Sequence, residues 1–263
     1  MRIIDSHLHV DRIKGKDLEA LSMAGVEAGV LPTPHLLQWI VSQETLLRMW
    51  RQFLEFGVKH SKSLGIELYV TLGIPFYGLE TEAIEGCLKE LPKYLEHERV
   101  IGLGEIGLDA GIEDEVRLFR AQLRIAKERN LPAIVHTPTP MEPQAAPVLE
   151  KIIHVMKEEK FPLERAILDH TGRNTLKTRL ASGAMVGLSL CYDKLKPEDA
   201  AEIVAENPDC DRLTINSEFG YSGEGYYSVP RAVLSMRRLG LKREAIEKVT
   251  WENPREFFNL PID

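Results

Sequence analysis

The chain has 263 residues, 44% hydrophobic and 28% charged, enough for one large domain or two small ones. That composition excludes collagen-like, low-complexity and largely disordered classes. With 33 Lys and Arg against 40 Asp and Glu the net charge is -7, so no global basic field recruits nucleic acid.

Short apolar runs rich in β-formers alternate with longer amphipathic stretches from one end of the chain to the other. The strand candidates are Arg2–Ser6, Gly25–Leu31, Glu67–Gly73, Val100–Ile106, Ala133–His136, Ala166–Asp169, Met185–Leu190 and Arg212–Asn216. Several are continuously apolar, the pattern of parallel strands covered by helices on one side and a core on the other. Between the second and third, Pro34–Leu64 has room for two helices, with Leu46, Leu47, Trp50, Phe53, Leu54 and Val58 near helical spacing. Further helices are expected over Glu113–Arg129, Ala146–Lys157, Pro197–Ala205, Pro230–Leu239, Lys242–Val249 and Pro254–Leu260. Gly65, Asn130-Leu131-Pro132 and Gly240 read as helix stops. Eight β units, each followed by helical sequence and with no linker between them, predict an α/β fold. Its form is a single-domain (β/α)8 TIM barrel spanning residues 1–263.

The three cysteines, Cys87, Cys191 and Cys210, are widely spaced and form no C-x-x-C, so no disulfide framework is expected. The opening residues lack an apolar signal core, and no run of about 18 apolar residues occurs. A cytoplasmic protein with no membrane contact and no obligate protein partner is expected.

Polar residues recur immediately after the strands. His7 and His9 follow the first and, two apart on an extended segment, project to one side, where they could hold one cation. Glu105 stands among small and apolar residues in Gly102–Asp109, where an unpaired carboxylate would be costly and cations would compensate it. His136 ends the fifth strand, His170 follows the sixth, and Glu218 follows the eighth. All C-terminal strand ends of a barrel surround one mouth, so these six side chains converge despite their distance in sequence. Four imidazoles and two carboxylates suit two divalent metal ions with open positions for water and substrate. The other histidines, His35, His60, His97 and His154, fall in helical or connecting segments and are read as surface or packing residues.

These motifs resemble those of the TatD-like metal-dependent hydrolases of the amidohydrolase superfamily. The resemblance rests on the opening Asp5-Ser6-His7-Leu8-His9, on Gly104-Glu105-Ile106-Gly107-Leu108-Asp109, on His136 and His170, and on the closing Asn253-Pro254-Arg255-Glu256-Phe257-Phe258. It implies that His7 and His9 bind a first metal, that Glu105 bridges, and that His136 and His170 bind a second. Zn, Mg or Mn would fit such a site. No strand-end Lys is available for carbamylation, which favours Glu105 as the bridge.

Three departures bear on substrate. Asn216-Ser217-Glu218 stands where the family usually has Glu-Thr-Asp, so Glu218 takes the Asp position with one extra methylene. His170-Thr171-Gly172-Arg173-Asn174 replaces the usual His-Cys-Phe-Ser-Gly, and Pro138-Thr139-Pro140 follows His136. The resemblance implies a hydrolase in which the metals activate water and Glu218 acts as general base. The expected bond is a phosphodiester, as in TatD-like deoxyribonucleases. Single-stranded nucleic acid would then be the substrate, with Arg12, Arg173 and Tyr221 binding it and Lys14, Lys16, Tyr226 and Tyr227 nearby. An amide, ester or lactone of a small molecule is the alternative, suggested by the altered loops. A non-catalytic binding barrel is a third reading, disfavoured because all six positions keep ligand-capable side chains.

Overall fold

A computed structural model describes residues 1–36, 39–220 and 225–262. Its eight strands are β1 (Ile3–Asp5), β2 (Val26–Pro32), β3 (Glu67–Leu72), β4 (Val100–Gly107), β5 (Ala133–His136), β6 (Ala166–Leu168), β7 (Met185–Ser189) and β8 (Leu213–Asn216). Each pairs in parallel with the next, in the order β1 to β8, and each lies within a residue or two of its predicted span. The seam between β8 and β1 is crossed by Glu218 N–H donating to His7 O at 2.9 Å and His9 N–H donating to Phe219 O at 2.8 Å. The molecule is therefore a single-domain (β/α)8 barrel.

The helices, in order, are α1 (Gly15–Met23), α2 (Gln43–Gln52), α3 (Val58–Ser63), α4 (Thr81–Tyr94), α5 (Glu113–Glu128), α6 (Ala145–Glu158), α7 (Arg173–Ser182), α8 (Pro197–Glu206), α9 (Ser228–Arg238), α10 (Arg243–Glu247) and α11 (Asn253–Phe258). A π turn over Phe53–Gly57 joins α2 to α3, so the two helices expected in Pro34–Leu64 run on from one another. The predicted stops hold: Gly65, Asn130 and Gly240 all adopt positive φ after a helix.

Two apolar layers place the site. The larger lies between strands and helices and includes Leu31, Leu46, Trp50, Phe53, Leu103, Phe119 and Leu188. The smaller gathers Ile4, Val30, Tyr69, Ile134, Ile167 and Met185 from the strands and packs them on Trp251, Phe258 and Leu260 near the C-terminus. Alternation along each strand makes this second cluster the barrel interior, with the last helices as its floor. Apolar side chains thus fill the lower barrel, and the buried polar groups collect at the opposite, C-terminal end. No helix among the described residues is long and apolar enough to cross a membrane.

Candidate metal centre

The six predicted ligands converge. His7, His9, Glu105, His136, His170 and Glu218 are all at least nine-tenths buried, and all but His7 line one cavity of about 130 Å³ at the mouth. Two groups have ligand atoms within 4.8 Å of one another: His7, His9 and Glu105, and Glu105, His136 and His170. Glu105 belongs to both.

In the first group, His7 Nε2 lies 3.0 Å from His9 Nε2 and 3.4 Å from Glu105 Oε1. Atoms bound to one cation at about 2.1 Å stand roughly 3–3.4 Å apart, so this spacing fits a ligand set. On the far side of the ring, His7 Nδ1 donates to Asp169 Oδ2 at 2.8 Å, so Nε2 is the nitrogen turned toward His9 and Glu105. Asp169 is held in turn by Asn216 Nδ2, donating to Oδ1 at 2.9 Å. Gly187 on β7 makes this possible, because a Cβ there would sit 1.7 Å from Asp169 Oδ1.

In the second group, His170 Nδ1 donates to the Thr137 carbonyl at 2.7 Å. Its Nε2 makes no hydrogen bond and lies 3.9 Å from Glu105 Oε2 and 3.4 Å from Glu218 Oε1. A buried nitrogen left so among carboxylates is what a cation site leaves when described by its ligands alone. His136 spans Glu105 Oε2 at 3.1 Å and Asp109 Oδ1 at 3.4 Å. The donor set therefore fits divalent metal.

Electrostatics agree with that fit. Burial opposes charge on His7 and His136, yet Glu105 and Asp169 raise His7 well above the usual imidazole range. Asp109 and Glu105 likewise bring His136 to about 9. Burial also opposes charge on Glu105, but His7 and His136 hold it well below the usual carboxylate range. Without metal, protons on the imidazoles stand in for the missing positive charge.

The backbone is strained where it matters. Five non-glycine residues have positive φ among the described residues. Asn130, Lys160 and Asn259 end helices, while His170 (φ 62°) and Glu218 (φ 48°) belong to the site.

Several supporting groups were not singled out from sequence. Lys194, past the end of β7, donates to Glu218 Oε1 at 2.8 Å; both side chains are buried. Burial opposes charge on each, but His170 and Lys194 hold the Glu218 carboxyl far below its usual range, and Glu218 holds the Lys194 ammonium above its own. The buried Arg179 of α7 donates to the Asp169 and His170 carbonyls, at 2.8 and 3.1 Å, and to Thr137 Oγ1 at 2.7 Å. Trp50 donates to Thr33 Oγ1 at 3.1 Å, and the Thr33 carbonyl accepts the Glu105 N–H at 2.8 Å, tying the bridge position to α2. Asp169 had a sequence signal, a carboxylate directly before a candidate ligand. Arg179, an arginine on an outer helix, had none.

The structure places three residues differently from the sequence-based expectation. His35, read as a surface or packing residue, is 2% exposed, lines the same cavity, and stacks on His136 with ring centroids 4.4 Å apart. It stands three residues past the end of β2, on the same rim as the candidate ligands. Arg173, expected to bind substrate, starts α7 and turns outward to Glu202 at 2.5 Å and Glu206 at 3.1 Å on α8. Arg12 sits beside the mouth, not in it, with its guanidinium 4.3 Å above the Trp39 ring. Tyr221 lies outside the described residues. Tyr226 packs on Phe219 and Tyr227, and Lys14 and Lys16 are exposed.

The sequence model of the family described as TatD related DNase matches residues 4–259. The chain belongs to the TatD family. A curated relative, an uncharacterized metal-dependent hydrolase of Methanocaldococcus jannaschii, is 30% identical over 98% of this chain and 100% of its own length. The crystal structure of a TatD-like protein from Archaeoglobus fulgidus superposes with a TM-score of 0.77 at 28% identity, covering 98% of this chain and 100% of that one. A phosphotriesterase homology protein of Escherichia coli shares the fold alone, with a TM-score of 0.71 at 14% identity over 98% of both chains. TatD membership makes this chain a metal-dependent hydrolase and sets aside the non-catalytic barrel.

Proposed function

We propose that this TatD-family chain is a phosphodiesterase whose water is activated by two divalent cations, held by His7, His9 and Glu105 and by Glu105, His136 and His170. The observation that carries the reading is Glu105, whose two oxygens face the two histidine pairs. Divalent cations held by these residues would supply Lewis acidity, lowering the pKa of a bound water and polarising the bond to be cut. Glu218 Oε1 lies 3.4 Å from His170 Nε2, so the carboxylate would orient a water beside that ring and accept its proton. Lys194 fixes the longer Glu side chain in place of the family's shorter Asp.

A second reading, hydrolysis of a carboxylic ester or lactone, has one observation in its favour. The cations around the mouth are engaged by the protein itself: Arg173 by Glu202 and Glu206, Lys194 by Glu218, Arg12 by Asp11 and Trp39. A long polyanion would have to displace those partners; a neutral ester would not.

Metal-loaded protein assayed on bis(p-nitrophenyl) phosphate, a single-stranded oligonucleotide and an ester and lactone panel separates the readings. Phosphodiester turnover abolished in both Glu105→Ala and Glu218→Ala supports the first. DNA cleavage that survives both substitutions is contaminant activity and sinks it, and ester or lactone turnover alone selects the second.

A further inference from the structure

The cavity that holds the candidate ligands also holds one buried imidazole that the metal reading does not use. His35 is 2% exposed and follows β2 in Thr33-Pro34-His35-Leu36. One face of its ring is covered by His136, with an interplanar angle of 23°. Neither Nδ1 nor Nε2 has a hydrogen-bond partner among the described residues. Buried polar atoms are almost always paired, so two orphans on one ring need a reason.

Packing does not supply one. A phenylalanine would give the same stack on His136 without leaving polar atoms unpaired. Metal ligation does not supply one either, since His35 belongs to neither ligand group. The ring instead lines the cavity, together with Leu36, Thr139, Lys194 and Glu218. An imidazole in its ordinary neutral form has one N–H to donate and one lone pair to accept.

We propose that His35 is a substrate-contacting residue, whose imidazole N–H donates to an ester oxygen of the molecule seated in the cavity. The inference rests on the reading that this cavity takes an ester, either a phosphoester or a carboxylic ester, because both offer the acceptor the ring lacks. Stacking on His136 fixes the ring plane, so the donor is aimed before substrate arrives and little side-chain freedom is lost on binding. Recognition by a neutral donor also suits a site beside cations, where another positive charge would be costly.

The test uses the metal-loaded chain with His35→Phe, which keeps the stack and removes both nitrogens, and His35→Gln, which restores an N–H donor. The probes are bis(p-nitrophenyl) phosphate and p-nitrophenyl acetate. For whichever probe the wild-type protein turns over, His35→Phe raises KM by about tenfold with a smaller change in kcat, and His35→Gln recovers part of that loss. Bound metal stays at the wild-type level, and the Tm of His35→Phe without substrate is equal to or above that of wild type.

Three results would overturn the assignment: unchanged KM in His35→Phe, loss of bound metal, which makes His35 a ligand, or a Tm lowered in both variants, which makes it structural. If the wild-type protein turns over neither probe, the ester reading fails on its own. The Tm and metal comparisons then still judge His35.

Discussion

The two ligand groups that share Glu105 are supported from behind in different ways. His7 leans on a charged side chain, Asp169, itself held by Asn216 from the end of β8. His170 leans on a neutral backbone carbonyl, that of Thr137, and the surrounding chain is clamped by Arg179. A carboxylate partner raises the basicity of an imidazole ligand more than a carbonyl does, while a clamp on the backbone fixes position. With metal bound, the first group would thus be tuned electrostatically and the second mechanically, and substitutions should separate the two.

The largest effect is expected at the shared residue. Glu105→Ala removes a ligand from both groups, so bound metal should fall to near zero and kcat/KM by about a thousandfold or more. Metal analysis with steady-state kinetics checks this, and retention of one full equivalent of metal would show that the groups are independent.

Asp169→Asn should weaken metal binding about 10- to 100-fold while leaving the fold intact, read by competition with a chelator. Arg179→Met should act the other way round, costing about 3 kcal/mol of stability because buried acceptors lose their donor. A denaturant titration measures that loss. Equal stability losses in the two variants would erase the proposed difference.

The fold was almost wholly legible in the sequence because eight apolar strand runs declare a barrel by count and continuity. Helices α1, α4 and α7 carried weaker signals. Helix α1 buries only Leu18 and Leu21, α4 contains Pro92, and α7 presents Thr175 and Arg179 to the interior, where an aliphatic stripe is the usual mark. The convergence of the candidate ligands was legible because barrel topology brings every strand end to one mouth. His35 was not, since a lone histidine in a connecting segment carries no period, and its place became visible only once the segment after β2 was seen to line the cavity. Arg173 misled because a cation after a strand can turn either inward or outward, and the carboxylates of α8 decide it.

Smaller effects follow from charge. Lys194→Met leaves Glu218 without its ammonium partner and should lower kcat about tenfold with bound metal unchanged, since Glu218 is then less firmly placed. The pH dependence of metal binding has a definite sign. His136 in the metal-free protein is raised to about 9, so its proton must leave before the nitrogen can serve as a ligand. Metal affinity should therefore climb from near neutral pH up to about 9. Over the same window the metal-free protein should lose the stability contributed by protonated His136, which is fully present below the unfolded imidazole value. Calorimetric titration at several pH values reads the first, and thermal melts of chelator-treated protein read the second.

The central claim is that Glu105 joins two cation sites into one centre. Elemental analysis of the purified chain, dialysed against divalent metal and compared with Glu105→Ala, tests it most directly. The account predicts two ions per chain in the wild-type protein and near-complete loss in the variant. A wild-type protein that holds no divalent metal, or a Glu105→Ala variant that keeps both ions, would contradict it.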